Sequence, residues 1–217
     1  MVKDSVAVHH DRAGAEAATS GSSRTAERRG RVTDAARLLF AEHGFHGTGV
    51  AQIALRSGVK VGQIYRDFAC KEDIVAAISE ADVDAFLDEA TLLAAIEQAD
   101  RPAIRAWIGD LVLHKAHPDE APLLPEILAE SSRNARIAAI IRSSDAAVRD
   151  RLLLALAALS GRPAGAERLG ISADLIMTVT MGLCSRQLAR LQPDSPPLAQ
   201  RIQAIIDREI EALIADG

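Results

Sequence analysis

The 217-residue chain has few aromatic residues, few cysteines and no long apolar run. Aromatic residues make up 3% of the sequence, and β-branched residues never form alternating runs, which disfavours a large β-sheet. The longest apolar run, Leu152 to Leu159, is far shorter than the roughly 20 residues needed to span a bilayer. The first residues also contain no apolar segment of the kind that directs secretion. We therefore expect no membrane partner.

Two cysteines, Cys70 and Cys184, lie far apart in a chain that is large enough to bury its own core. No disulfide framework is needed, which favours a reducing, cytoplasmic location. His114 and His117 form an H-x-x-H pair, but no carboxylate or cysteine nearby completes a metal set. We predict no metal and no cofactor.

Catalytic motifs are also missing. The chain has no G-x-S-x-G and no C-x-x-C, and the segment from Gly58 to Gly62 lacks the Gly-Lys-Ser/Thr ending of a phosphate-binding loop. An enzyme is the first rival class of function, and these absences disfavour it.

Alanine and leucine dominate a composition that is 48% hydrophobic and 25% charged, which predicts an all-α fold. Apolar residues recur at helical spacing and are interrupted by Gly, Pro and Ser. About nine helices are predicted, over residues 24–43, 48–57, 61–67, 69–99, 100–118, 120–131, 134–159, 172–191 and 196–215. Residues 1–23 show no periodicity and are expected to form a disordered arm.

Charge is distributed unevenly along the chain. Residues 1–71 contain 11 Lys and Arg against 7 Asp and Glu, whereas residues 72–217 contain 14 against 23. A net charge of about +4 therefore precedes one of about −9. This split indicates a small anion-binding module on an acidic body, because an acidic body repels nucleic acid.

Three short helices within 45 residues, with Gly58 in the turn between the second and third, have the layout of a helix-turn-helix. The run from Arg31 to Val75 resembles the N-terminal domain of the TetR (tetracycline-repressor) family of bacterial transcriptional regulators. The resemblance rests on matching residues in order and without a gap: Ala36, Phe40, Gly44-Phe45, Thr48, Ile53-Ala54, Gly58-Val59, Gly62, Ile64-Tyr65, Phe68 and Lys71-Glu72. Residues 24–72 are thus predicted to form a DNA-binding domain.

The residue types of this motif suit a nucleic-acid interface. Gly62 removes a side chain where the third helix must approach the major groove, and Gln63 can contact adenine through two hydrogen bonds. Tyr65 has a hydroxyl that can donate to a phosphate. DNA contacts are predicted at Arg28, Thr48, Lys60, Val61, Gly62, Gln63, Tyr65, Arg66 and Lys71.

Three of these predictions have a structural alternative. Thr48 and Lys71 lie at the starts of helices two and four, where free N–H groups and the helix dipole favour a phosphate oxygen. Thr48 is alternatively a helix cap only, Gly62 a residue that relieves packing, and Arg28 a solvated charge rather than a ligand of the DNA backbone. Lys60 stands where family members often carry Ser or Thr, so it gives up a cap and adds a cation.

The resemblance implies that residues 73–217 form a helical domain that binds a small-molecule effector and forms a homodimer through the last two long helices. The predicted dimer contacts are Leu198, Ile202, Ile206 and Ile210. The alternative is that this apolar stripe belongs to the core of a single chain. Candidate effector contacts are Trp107, His114, Met177, Met181 and Cys184, each of which is alternatively an ordinary core or surface residue.

These observations favour a homodimeric repressor that an effector, expected to be hydrophobic, releases from a near-palindromic double-stranded operator. A second rival function is a DNA-binding protein of the same fold that organises DNA or answers a protein partner without a small ligand. Effector identity, operator sequence and the sign of regulation are not encoded in any recognisable motif.

Overall fold

A computed structural model of the chain describes residues 9–113, 123–190 and 196–215. Within these ranges every regular element is an α-helix, which confirms the all-α prediction. The chain divides into two compact units, Met1–Val75 and Ala76–Gly217. This boundary lies three residues beyond the one expected from sequence at 72/73.

The first unit contains α1 (His9–Gly47), α2 (Val50–Ser57), α3 (Val61–Asp67) and the start of α4 (Lys71–Leu87). Helix α1 begins before Arg24, so the expectation of a disordered arm is wrong for residues 9–23, and residues 1–8 lie outside the described part. Alanine-rich sequence before Arg24 has high helix propensity and extends a helix that is already nucleated. Gly44, with φ 74°, interrupts the helical backbone where the sequence predicts the end of the first helix.

The core of the first unit is formed by one face of each helix. Phe40 of α1, Ile53 of α2 and Ile64 of α3 are all buried. The rings of Phe40 and Phe45 lie 5.6 Å apart in a tilted arrangement. This packing fixes α3 from beneath and leaves its opposite face to solvent.

The second unit continues α4 and adds six helices: α5 (Glu89–Glu97), α6 (Arg101–Leu113), α7 (Leu123–Ser131), α8 (Ala135–Ser160), α9 (Glu167–Arg190) and α10 (Pro196–Ala215). Its main core joins α6, α8, α9 and α10. Ile108, Leu156 and Ile176 are fully buried there. Asn134 caps α8 by accepting hydrogen bonds from the N–H groups of Arg136 and Ile137 at 3.1 and 3.3 Å.

The single helix predicted over 69–99 is two helices, because the chain breaks at Asp88. Asp88 has a left-handed backbone (φ 38°) and caps α5, with its carboxylate accepting from the Thr91 hydroxyl at 2.6 Å. The indole Nε1 of Trp107 donates to the Leu87 oxygen at 2.5 Å, at the end of α4. Because neither Gly nor Pro marks the break, hydrophobic spacing alone predicts an uninterrupted helix.

In the part of the chain that the structure describes, no helix is long and apolar enough to cross a bilayer.

Candidate nucleic-acid interface

The turn between α2 and α3 sets the angle between these two helices. Gly58 ends α2 in a left-handed conformation (φ 68°, ψ 16°), which glycine adopts without a Cβ penalty. The N–H of Val59 then donates to the Ser57 hydroxyl at 3.3 Å, and the Val59 side chain is buried. This is the compact turn that the sequence predicts for a helix-turn-helix.

Helix α3 has one anchored face and one exposed face. Ile64 and Phe68, four residues apart, are buried beneath it. Lys60, Val61, Gly62, Tyr65 and Arg66 are exposed, and Gln63 is half-buried. Six of the nine predicted DNA contacts therefore lie at or beside one exposed helix surface.

Gly62 is not required by packing within the chain. A Cβ atom built at this position has no neighbouring heavy atom within 4 Å, and the backbone is ordinary helix. The alternative that Gly62 relieves packing is therefore removed. A glycine in open space on an exposed helix face allows a bulky partner to approach the backbone.

Lys60 occupies the N-cap position of α3 with an extended backbone (φ −62°, ψ 139°), and its side chain forms no capping hydrogen bond. This agrees with the expectation that Lys60 gives up a cap. On the next turn Arg66 Nε donates to the Gly62 oxygen at 3.2 Å, which lays the guanidinium along the exposed face. Two cations thus flank the open backbone at Gly62.

The Thr48 hydroxyl is buried and bonded within the first unit, away from the surface where a phosphate would lie. Its side chain is 1% exposed, and its hydroxyl lies 3.0 Å from the Leu39 oxygen and 2.9 Å from the Gly44 oxygen, both of α1. The N-cap of α2 is Gly49, whose N–H donates to Gln52 Oε1 at 2.6 Å. Direct contact of the Thr48 hydroxyl with a phosphate is therefore a wrong prediction, and the hydroxyl instead holds the kink that Gly44 introduces.

Lys71 also turns inward. Its ammonium donates to the Phe45 oxygen and, at 2.9 Å, to the Thr48 oxygen, and it lies 4.1 Å from the centre of the Phe45 ring. These contacts join the first residue of α4 to the segment between α1 and α2. The Lys71 ammonium thus has main-chain partners within the first unit, and its contact with a phosphate stays a prediction.

Arg28 pairs with a carboxylate of the same unit. Its Nε and Nη2 donate to the two oxygens of Asp67 at 2.7 and 2.9 Å. This hydrogen bond from Arg28 is the main cause that lowers the pKa of the Asp67 carboxyl. Arg28 therefore forms an ion pair between α1 and the end of α3, and its contact with the DNA backbone stays a prediction.

The sequence analysis does not predict the contacts of two residues in this region, Asp67 and Gln52. Asp67 follows no recognisable pattern, because its partner lies 39 positions earlier in the chain. Gln52 had a readable signal, since a Gln three residues after an N-cap is typical of a capping box. It is exposed on α2 and accepts the Gly49 hydrogen bond described above.

The predicted effector contacts do not converge on one enclosed site. Trp107 is buried with its N–H bonded to Leu87, Met177 packs against the main core, and Met181 is exposed. Burial raises the pKa of the Cys184 thiol. His114 lies outside the described residues.

Two shallow grooves on the second unit have volumes of about 350 and 370 Å³. The first lies between Leu113 and the Ala199–Asp207 part of α10. The second lies between Arg149 of α8 and Glu167–Asp174 of α9. None of the predicted effector contacts with a described side chain lines either groove.

The predicted dimer contacts divide into two classes. Ile206 and Ile210 are each 1% exposed in the core of the single chain, so their assignment to a subunit interface is wrong. Leu198 and Ile202 are half-buried. The stripe on α10 faces inward because it packs against α6, α8 and α9, and periodicity alone does not distinguish the two directions.

Helix α9 instead presents an outward apolar stripe. Ile171 and Leu175 are exposed four residues apart, and the exposed small residues Thr178 and Gly182 continue the same side of the helix. Met181, next to Gly182, is exposed as well. Ile205 of α10 is also exposed. Exposed large apolar side chains at this spacing are typical of a face that another helix covers.

Comparison with known proteins finds a family model that matches the helix-turn-helix region. Residues 32–78 match the model of bacterial regulatory proteins, tetR family. The transcriptional regulator UidR of Escherichia coli (strain K12) is 27% identical over 117 residues, which cover 53% of this chain and 57% of UidR. The chain thus aligns with little more than half the length of this relative.

Two solved structures share the fold over most of their length. A transcriptional regulator from Pseudomonas aeruginosa PAO1 has a TM-score of 0.68 at 20% identity, covering 87% of this chain and 91% of that one. FadR from Bacillus subtilis, solved in complex with stearoyl-CoA, has a TM-score of 0.60 at 20% identity, covering 85% and 96%. At these identities the similarity concerns the fold.

Proposed function

We propose that this chain, which belongs to the tetR family of bacterial regulatory proteins, binds double-stranded DNA as a homodimer and represses transcription until a small molecule releases it. The action takes place in the cytoplasm, where the chromosome lies, and involves no catalysis. The exposed face of α3, with Gly62 at its centre, is the surface that enters the major groove.

The open backbone at Gly62 is the observation that carries this proposal. Among the residues that the structure describes, none lies within 4 Å of a Cβ built at Gly62, so this exposed surface is open to a partner from outside. Lys60, Arg66 and Tyr65 flank it with two cations and a hydroxyl, the groups that contact phosphates. Gln63 lies between them and supplies the donor and acceptor that read adenine.

The outward stripe of α9 supports a homodimer. Ile171, Leu175 and Met181, with Ile205 of α10, give a surface that a second copy covers through the same residues. This replaces Ile206 and Ile210 as the interface. A symmetric dimer presents two copies of α3 and therefore favours an operator whose half-sites are related by two-fold symmetry.

The effector is proposed to be an apolar or amphipathic small molecule. Leucine and isoleucine dominate the core of the second unit, so a cavity that opens within it has apolar walls. FadR of similar fold was solved with stearoyl-CoA, a ligand of this general character. The effector would shift the second unit towards the conformation that it binds more tightly. Operator affinity could then change by no more than the ratio of the effector's affinities for the two conformations.

A second function is favoured by one specific observation. The two grooves described above are shallow, and the indole N–H of Trp107 is already bonded within the chain. A DNA-binding protein of the same fold that answers a protein partner, without a small ligand, needs no enclosed cavity. Mapping bound chromosomal sites separates the two, because a regulator occupies few promoters and an organiser many scattered sites.

The test of the main proposal starts with the purified full chain and a library of random 30-base-pair duplexes. Repeated selection should enrich one two-fold symmetric sequence, called the selected duplex below. Amphipathic compounds, with stearoyl-CoA as the first probe, are then screened for release of that duplex and for a saturable change in Trp107 emission. No enriched sequence would refute sequence-specific binding, and no compound with both effects would favour the second function.

A further inference from the structure

Asp67 is the last residue of α3 and the point at which that helix is tied to α1. Arg28 grips both of its carboxylate oxygens, at 2.7 and 2.9 Å, in the two-pronged geometry that makes arginine–carboxylate pairs strong and directional. The Asp67 side chain is 8% exposed and that of Arg28 is 24% exposed. The pair is therefore largely withdrawn from water, where ion pairs are screened less than on an open surface.

A second arginine holds the same end of the helix. Arg29 Nη1 donates to the Asp67 main-chain oxygen at 2.6 Å, and its guanidinium lies 4.2 Å from the centre of the Phe68 ring. The last carbonyl groups of a helix have no partner within the helix, and a cation there also complements the helix dipole. Two adjacent residues of α1 thus hold the side chain and the backbone of one residue of α3.

This arrangement matters because α3 is only seven residues long. A helix of two turns is not stable by itself, and its orientation comes from the contacts at its ends and beneath it. Ile64 and Phe68 fix it from beneath. The two arginines fix its C-terminal end, and hence the direction in which Gln63 and Tyr65 point.

The ion pair also removes charges from the surface. Asp67 is an anion on the helix that we propose enters the groove, where it would repel phosphates, and Arg28 neutralises it. Conversely, Asp67 occupies Arg28, a cation that would otherwise seek phosphates of any sequence. The pair therefore suppresses non-specific attraction at the same time as it orients the helix.

We propose that Asp67 is a positioning residue that sets DNA specificity: through Arg28 and Arg29 it holds the recognition helix in the orientation that reads bases, and it keeps Arg28 from binding phosphates non-specifically. This inference rests on the proposed function of α3. Its signature is an opposite change in two affinities, which a purely structural role would not produce.

The test compares wild type with Asp67→Asn on the selected duplex and on a scrambled duplex of equal composition. For the variant, the ratio of the Kd for the scrambled duplex to the Kd for the selected duplex should fall by about tenfold, the effect of losing one charge-assisted interaction. Binding to the scrambled duplex should become tighter. Its slope of log K against log salt should steepen by about one unit as Arg28 gains a phosphate.

Glu42→Gln is the matched control. It changes the net charge by the same amount and breaks another ion pair of the first unit, in which Arg56 Nη1 lies 3.1 Å from Glu42. That pair is exposed on both sides and joins α1 to α2. The control should leave the ratio of scrambled to selected Kd unchanged, whatever it does to overall affinity.

Thermal melting and circular dichroism of each variant check folding. If Asp67→Asn does not fold, Arg28→Lys keeps the charge but loses the two-pronged geometry, and it should lower the ratio in the same direction. The charge-exchanged variant, Arg28→Asp with Asp67→Arg, should recover discrimination. If folded Asp67→Asn, or Arg28→Lys in its place, keeps the wild-type ratio of scrambled to selected Kd, the inference about Asp67 is overturned and the proposed function is not. If the wild-type chain enriches no duplex, the proposed function is overturned as well.

Discussion

The ammonium of Lys71 lies 2.9 Å from the main-chain oxygen of Thr48, 23 residues earlier in the chain, and also contacts the oxygen of Phe45. Through these contacts the first residue of α4 holds the segment that leads into α2. Thr48 is held from the other side by its hydroxyl, which reaches the Leu39 and Gly44 oxygens. The entry to the helix-turn-helix is therefore fixed by polar contacts to the main chain, in addition to the cap that Gln52 forms with Gly49.

Replacing Lys71 by Met should lower stability more than it changes the electrostatics of DNA binding. Main-chain oxygens of Phe45 and Thr48 lose a charged donor, which costs about 1.5 to 3 kcal/mol in the free energy of unfolding. The slope of log K against log salt should change by less than the unit or so that one lost phosphate contact produces. Urea denaturation measures the stability and salt titrations measure the slope. A flattened slope with unchanged stability would show that Lys71 contacts a phosphate.

Gln63→Ala should weaken binding to the selected duplex and leave binding to a scrambled duplex almost unaltered. A bidentate contact to a base is worth about 1 to 3 kcal/mol of discrimination, whereas random sequence rarely offers that base in register. Fluorescence anisotropy with both duplexes measures the two affinities. Equal losses on both would make Gln63 a contact to the DNA backbone.

The apolar stripes of α9 and α10 should respond differently when a charged residue is introduced. Leu175→Glu places a carboxylate on the outward face of α9, where Leu175 is 42% exposed, and should yield a folded monomer. Ile206→Glu buries an unpaired charge in the core of the single chain and should prevent folding. Light scattering with circular dichroism separates these results. A fully dimeric Leu175→Glu variant would show that the exposed stripe of α9 is not the interface.

The ion pair of Asp67 should contribute to stability in a pH-dependent way. Arg28 lowers the pKa of Asp67 in the folded chain below its ordinary value of 3.8. The contribution is thus complete above the unfolded pKa and is lost as pH falls through the folded value. The difference in unfolding free energy between wild type and Asp67→Asn should be constant from about pH 7 to 5 and shrink below about pH 4. A difference that shrinks between pH 7 and 5 would point to another group.

The sequence predicts α2 and α3 and the interruption of α1 at Gly44 well, because these boundaries depend on local signals. Gly44 and Gly58 mark the ends of helical segments, and both have positive φ. The inward positions Ile53, Ile64 and Phe68 follow from helical spacing and are buried.

The internal side-chain contacts that the sequence does not predict depend on partners distant in sequence. Thr48, Lys71 and Arg28 were predicted from their places near helix starts, but each finds an internal partner between 4 and 39 residues away. A polar side chain near a helix end is equally suited to a phosphate and to an internal oxygen. The packing of α1 against α2 and α3 determines which of these two partners the side chain contacts. No single segment of the sequence predicts that packing.

The apolar stripes of the second unit show the same limit. The pattern on α10 is stronger than that on α9, yet Ile206 lies in the core and Leu175 lies outside. Amphipathic spacing predicts that a face is covered, but not whether the same chain or another chain covers it.

The most direct test of the central claim is the affinity of Gly62→Leu for the selected duplex, measured beside its melting temperature. A side chain at this position meets open space in the free chain, and glycine within a helix costs about 0.5 to 1 kcal/mol relative to alanine. The account predicts equal or higher thermal stability together with a loss of affinity greater than about tenfold, since leucine holds the helix away from the base edges. Wild-type affinity in a stably folded Gly62→Leu variant would show that the exposed face of α3 does not enter the groove.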